Sequence, residues 1–133
     1  MADILIVDDD ADTAEILCDV LLERGHEVRV AHDGRDGLAH LHLRLPDLVV
    51  LDVEMPVLTG PEMAYEMFLR DHGLEHVPII LCSGVWDLQA VAAVVGTPYF
   101  LAKPFMLAAM LSLIERALRE RTAPRPNFPK ADR

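Results

Sequence analysis

The chain has 133 residues, 52% of them apolar, which is enough for one domain with a core of ordinary size. Its 22 acidic residues against 12 basic ones give a net charge of −10, a field that repels a phosphate backbone and argues against nucleic acid as a direct partner. No apolar run approaches the roughly 20 residues of a membrane helix, and strand-like "ILIV" leads at once into three aspartates rather than into a signal-peptide core; a soluble, cytoplasmic chain with no membrane partner is expected.

In chain order, short apolar runs alternate with helical periodicity, the mark of a parallel sheet with covering helices. Residues 2–8, "ADILIVD", read as a first strand, followed by a helix through Ala14, Leu17, Cys18 and Leu21 that closes at Gly25. Residues 27–31 alternate as a second strand, and Leu38, Leu41 and Leu45 mark a second helix ending before Pro46. Residues 47–52, "DLVVLD", form a third strand whose continuous apolar run places it in the middle of the sheet. A third helix is expected over Pro61–His72, with proline where a missing N–H costs nothing. Strands at 77–83 and 98–102 and a helix over 105–120 complete five β/α units, with a fourth helix between the two strands. A domain of residues 1–120 is expected, and residues 121–133, rich in proline and basic charge, read as a disordered tail.

Cys18 and Cys82 stand apart without CxxC spacing and read as reduced core residues. The six histidines form no metal constellation and read as surface residues, and Met55, Met63, Met67, Met106 and Met110 read as packing. In open α/β sheets, function gathers beyond the carboxyl ends of the strands. Here Asp8, Asp9 and Asp10 end the first strand, Asp52 the third, Ser83 the fourth, and Lys103 and Pro104 the fifth. Carboxylates within about 4 Å repel by about 4 kcal/mol per pair at an effective dielectric near 20, an arrangement folding alone does not select. A small hard cation relieves it, so the cluster reads as a Mg²⁺ site. Lys103 and Ser83 then supply a cation and a donor suited to a phosphoryl group. Taken singly, Asp8–Asp10 would be a solvated helix start, Ser83 a turn residue and Lys103 a surface lysine.

The fragments "IVDDD", "LDVEMPVLTG", "SG" and "LAKPF", in this order on these elements, resemble the receiver domains of two-component response regulators, from residue 3 to about residue 120. The resemblance implies a flavodoxin-like doubly wound (βα)5 three-layer fold with strand order 2-1-3-4-5. It implies Asp52 as phosphoacceptor, Mg²⁺ held by Asp9, Asp52 and the backbone carbonyl of Glu54 with Asp8 acting mainly through water, and Ser83 and Lys103 on the phosphoryl oxygens. It further implies Phe100 as the aromatic that turns inward when the serine moves, and a cis Lys103–Pro104 bond. The donor would be a histidine kinase or a histidine phosphotransfer protein, and the domain would be a phosphoacceptor rather than an enzyme.

Two other readings compete. An aspartate-nucleophile phosphatase of haloacid dehalogenase type also uses a strand-end aspartate, Mg²⁺ and lysine, but it needs a second aspartate where Glu54 stands and a nucleophile on the first strand. A fragment of a hybrid kinase or of a DNA-binding regulator is the other; with no helix-turn-helix after residue 120, a stand-alone receiver is expected. The stretch 84–100 departs from the family pattern, being about two residues short between Ser83 and Lys103, with a helix apolar all round through Ala90–Val95. An exposed partner surface at Trp86, Val91 and Val94 follows, binding a downstream protein or a second copy through helix 4, strand 5 and helix 5.

Overall fold

In a computed structural model, which describes residues 1–69 and 73–127, the chain alternates strand and helix throughout. The elements are β1 (Asp3–Val7), α1 (Ala11–Glu23), β2 (Glu27–Ala31), α2 (Gly34–Leu43), β3 (Leu48–Asp52), α3 (Gly60–Leu69), β4 (Ile79–Ser83), α4 (Leu88–Val95), β5 (Tyr99–Ala102) and α5 (Leu107–Glu120). One element escaped the periodicity, a single 3-10 turn at Leu74–His76 that enters β4. The expected end of the third helix at His72 lies outside the described residues, and the last helix starts at Leu107 rather than 105, because the chain first turns through Lys103–Pro104.

The five strands are parallel in the order β2-β1-β3-β4-β5. The uninterrupted apolar run of β3 accounts for its central place: every residue of it is buried, as is every residue of β4. Successive side chains alternate between the sheet's faces. Leu5, Val7, Val49 and Leu51 pack under α2, α3 and α4, while Ile4, Ile6, Leu48 and Val50 pack under α1 and α5. The result is the three-layer doubly wound sandwich. The reversal of strand order falls between β1 and β3, so the carboxyl ends of those strands open onto a shared crevice.

Cys18 is half-buried and Cys82 buried, both as free thiols, and burial first, then the charge of Asp8, pushes the Cys82 thiol up to about 12. Met55, Met63, Met67 and Met110 are buried, whereas Met106 is exposed because it stands at the start of α5, ahead of the packed stripe. Among the described histidines, His32, His42 and His76 lie at the surface. His26 is half-buried and accepts the amide of Ala2, and His40 is half-buried with its Nδ1 shielded from solvent. Residues 121–127 are held against the fold: Pro124 is buried and the amides of Arg125 and Asn127 are paired. These residues fall within the segment expected as a tail, of which residues 128–133 lie outside the described residues.

Candidate functional site

Three consecutive aspartates follow β1 and take three different places. Asp8 is 2% exposed, its amide extends the ladder to the carbonyl of Ala31, and its Oδ1 accepts the amide of Asp10 at 2.9 Å. Asp9 is exposed at the mouth of the crevice. Asp10 caps α1, accepting the amide of Thr13 at 3.4 Å and its hydroxyl at 2.7 Å. Those bonds, the hydroxyl's foremost, hold the Asp10 carboxyl below its ordinary range.

Asp52 closes β3 at 5% exposure, in register with Cys82 of β4. Oxygens of Asp8, Asp9 and Asp52 lie within 4.8 Å of one another. Among the described residues one cation answers them: Lys103 Nζ donates to Asp8 Oδ2 at 2.7 Å and stands 3.6 Å from Asp52 Oδ2. Burial pulls the Lys103 ammonium down, but the Asp8 hydrogen bond and the charges of Asp8 and Asp52 outweigh it, so its pKa is raised. Asp52 is pushed up to about 6, by burial first and by the Asp8 charge second, with Lys103 opposing. Three carboxylates against one ammonium leave a surplus of negative charge in a recess of oxygen donors. That donor set fits a small divalent cation such as Mg²⁺, with Asp8, Asp9 and Asp52 as the residues able to hold it.

Ser83 closes β4 at 3% exposure, and its Oγ accepts the amide of Val85 at 3.3 Å. Its carbonyl accepts the amide of Lys103 at 2.9 Å, which carries the β4–β5 ladder one rung past the strand. The Lys103–Pro104 bond is cis. Glu54 follows in the loop with its side chain exposed, and Phe100, on β5, is 37% exposed.

Several residues that position the site were not singled out from the sequence. Thr59 and Glu62 form a reciprocal capping box at the start of α3: the Thr59 amide donates to Glu62 Oε1 at 2.9 Å and the Glu62 amide to Thr59 Oγ1 at 3.2 Å. The T-x-x-E spacing was the signal available for it. Gly60 packs on the backbone of Asp52, where a Cβ would overlap the Asp52 carbonyl. Val57 has φ 72°, unusual for a β-branched residue, at the centre of a γ-turn closed by the Leu58 amide donating to the Pro56 carbonyl at 2.7 Å. His32 Nδ1 lies 3.3 Å from the carbonyl of Asp8. Beside the crevice, between the start of α1 and the turn before α5, lies a cavity of about 410 Å³ lined by Asp10, Thr13, Ile16, Lys103, Pro104 and Phe105.

The expected partner surface divides. Trp86 is 95% exposed in the loop after Ser83. Val91 and Val94 are half-buried, and Val91 packs against the core, so α4 turns Gln89, Ala90 and Ala93 outward instead. An eight-residue helix apolar at every position but Gln89 gives little in its sequence to fix which stripe faces in.

The family model for the response regulator receiver domain matches residues 4–115. Protein Rrf1 of Nitratidesulfovibrio vulgaris is 31% identical over 129 residues, covering 96% of this chain and 91% of its own. The nitrogen assimilation regulatory protein NtrX of Azorhizobium caulinodans is 35% identical over 120 residues, 87% of this chain and 26% of that protein. The chain thus spans about a quarter of that NtrX, and 52% of the response regulator MprA of Mycolicibacterium vanbaalenii, to which it is 39% identical. Among solved structures, a putative response regulator from Chloroflexus aurantiacus superposes with a TM-score of 0.81 at 29% identity, over 89% of this chain and 98% of that one. No helix among the described residues is long and apolar enough to cross a membrane.

Proposed function

Because the chain belongs to the response regulator receiver domain family, we propose that it takes a phosphoryl group from a phosphohistidine donor onto Asp52 and signals through a contact that depends on that modification. The observation that carries this reading is one recessed carboxylate, Asp52, set 3.6 Å from the Lys103 ammonium and within 4.8 Å of two further acids. A loose, in-line phosphoryl transfer needs positioning and charge neutralisation more than covalent help. Asp52 supplies the nucleophilic oxygen; the bond to phosphorus forms there as the donor's P–N bond breaks and the imidazole regains a proton.

A bound Mg²⁺ would neutralise charge on the transferred group's oxygens, held by Asp8, Asp9, Asp52 and the carbonyl of Glu54. Lys103 moves from a carboxylate pair to a phosphoryl oxygen, and the Ser83 hydroxyl donates to another. The 410 Å³ cavity beside Lys103, with Ile16 and Phe105 on its walls, offers an apolar recess next to the crevice for a side chain of the donor protein. Phe100 and the α4–β5–α5 face, with Trp86 above it, carry the change to a partner or second copy. Glu54, exposed on the loop, gives no support to a phosphatase acid at that position.

Acetyl phosphate with Mg²⁺ should add one phosphoryl group to the parent and none to Asp52→Asn, read by intact mass. Undiminished modification of the Asn protein removes the assignment.

A further inference from the structure

At the opposite end of the sheet from the carboxylates, the chain leaves α5 and crosses beneath α4. Arg121 takes φ 55° and reverses the direction of the chain. The Thr122 amide then donates to the Tyr99 hydroxyl at 3.4 Å, and that hydroxyl donates to Glu120 at 2.9 Å. Pro124 is buried. The Arg125 amide donates to the carbonyl of Gly96 at 2.9 Å and the Asn127 amide to that of Val94 at 2.8 Å, so residues 125–127 run antiparallel to 94–96.

The alternation in "PRPN" fits this path. Prolines, which have no N–H, occupy 124 and 126, and the residues between and after them donate inward. Val94 lies in the last turn of α4, whose carbonyls have no partner within the helix. Gly96 has φ 82°, and a Cβ there would overlap the backbone of Arg125. The crossing therefore depends on glycine twice, for conformation and for space.

We propose that Thr122–Asn127 is a latch that ties the C-terminal end of α4 to α5 and opposes displacement of α4, so that modification of Asp52 and release of the latch are coupled. The inference rests on the function proposed above, because α4 begins five residues after Ser83 and ends on the latch. A pull on the N-terminal end of α4 loads the two bonds that hold Val94 and Gly96 at its other end. By reciprocity, freeing the latch favours the modified state by the same factor that modification frees the latch.

The test uses the full chain. Two net hydrogen bonds correspond to about ten- to hundredfold slowing of amide exchange, expected at Arg125 and Asn127 in the metal-free parent by NMR. Beryllofluoride with Mg²⁺ should speed both amides severalfold, with its binding followed separately by fluorine NMR. Two variants free the latch: Gly96→Asn, since asparagine tolerates the left-handed conformation, and Arg125→Pro with Asn127→Pro, which removes both donors. Each should bind beryllofluoride severalfold more tightly, and Pro126→Ala should behave as the parent.

Unprotected amides in the parent overturn the latch. Protection that is unchanged while fluorine NMR shows full occupancy overturns the coupling, as does equal affinity across the variants. An absent fluorine signal overturns the proposed function together with the coupling, while parent protection still decides whether the segment is held.

Discussion

Replacing Asp52 by asparagine should stabilise the metal-free protein. Asp52 shares its recess with Asp8 and Asp9 against one ammonium, and its carboxyl is raised from 3.8 to about 6, by burial before charge. A shift of about two units corresponds to about 3 kcal/mol against the folded state at neutral pH. Solvent at the mouth, where Asp9 is exposed, screens part of this, and a gain of about 1.5 kcal/mol is expected, or about 5 °C in Tm for a chain of this size. Lys103 keeps its 2.7 Å bond to Asp8 in the variant, so no charge is orphaned.

The pH dependence carries the argument. Below 3.8 the carboxyl is protonated in both folded and unfolded chains, and parent and variant differ little. Between 3.8 and about 6 the folded parent holds a proton the unfolded chain has lost, so its stability falls as pH rises; above about 6 the full penalty applies. Thermal and urea melts in chelator from pH 4 to 8 measure the difference, and saturating Mg²⁺ should narrow it by stabilising the parent more. A variant melting at or below the parent at pH 7.5, or a gain undiminished at pH 4, refutes the reasoning.

Millimolar Mg²⁺ should raise the parent's Tm, by on the order of 1 kcal/mol at a few times Kd, and Asp9→Ala should raise the metal-free Tm while losing that response; an Asp9→Ala protein that melts lower and responds as the parent does would place the site elsewhere. Val57→Gly should gain about 0.5–1 kcal/mol, since the strained γ-turn backbone costs about 1–2 kcal/mol and glycine's extra chain entropy returns part of it; a lower urea midpoint at unchanged slope contradicts the strain at φ 72°. Thr97→Val should cost about 2 kcal/mol, because the buried hydroxyl donates to the Ile79 carbonyl and accepts the Tyr99 amide. A loss under about 0.5 kcal/mol would show that those backbone groups find other partners.

The fold was legible where one pattern admitted one arrangement. The run "LVVL" could only be buried on both faces, and β3 lies between β1 and β4. The carboxylate cluster followed once Asp8, Asp9 and Asp52 were placed at neighbouring strand ends, and the structure brings their oxygens within 4.8 Å. Legibility failed where identity underdetermines geometry. In α4 every residue after Gln89 is apolar, so composition could not say that Val91 turns inward and Ala93 outward. Residues 121–133 read as a tail because proline and basic charge disfavour a core, yet three backbone amides, of Thr122, Arg125 and Asn127, are paired in a way that composition does not register. The division of labour within "DDD" likewise depends on Thr13, which claims Asp10 for the helix and leaves two acids for the crevice.

The rung that joins the Ser83 carbonyl to the Lys103 amide has a mechanical consequence. It yokes the backbone carriers of the hydroxyl and the ammonium, so neither can be repositioned without dragging the other and the ladder behind it. Compliance must then begin just beyond the yoke. Gly84 has open space where a side chain would sit, and Val85–Asp87 leads from it into α4. If α4 is displaced when Asp52 is modified, as proposed above, Gly84–Asp87 is the stretch that has to absorb the change, while the rung holds Ser83 and Lys103 in register. Lengthening that stretch by a residue would slacken the linkage and leave the rung untouched.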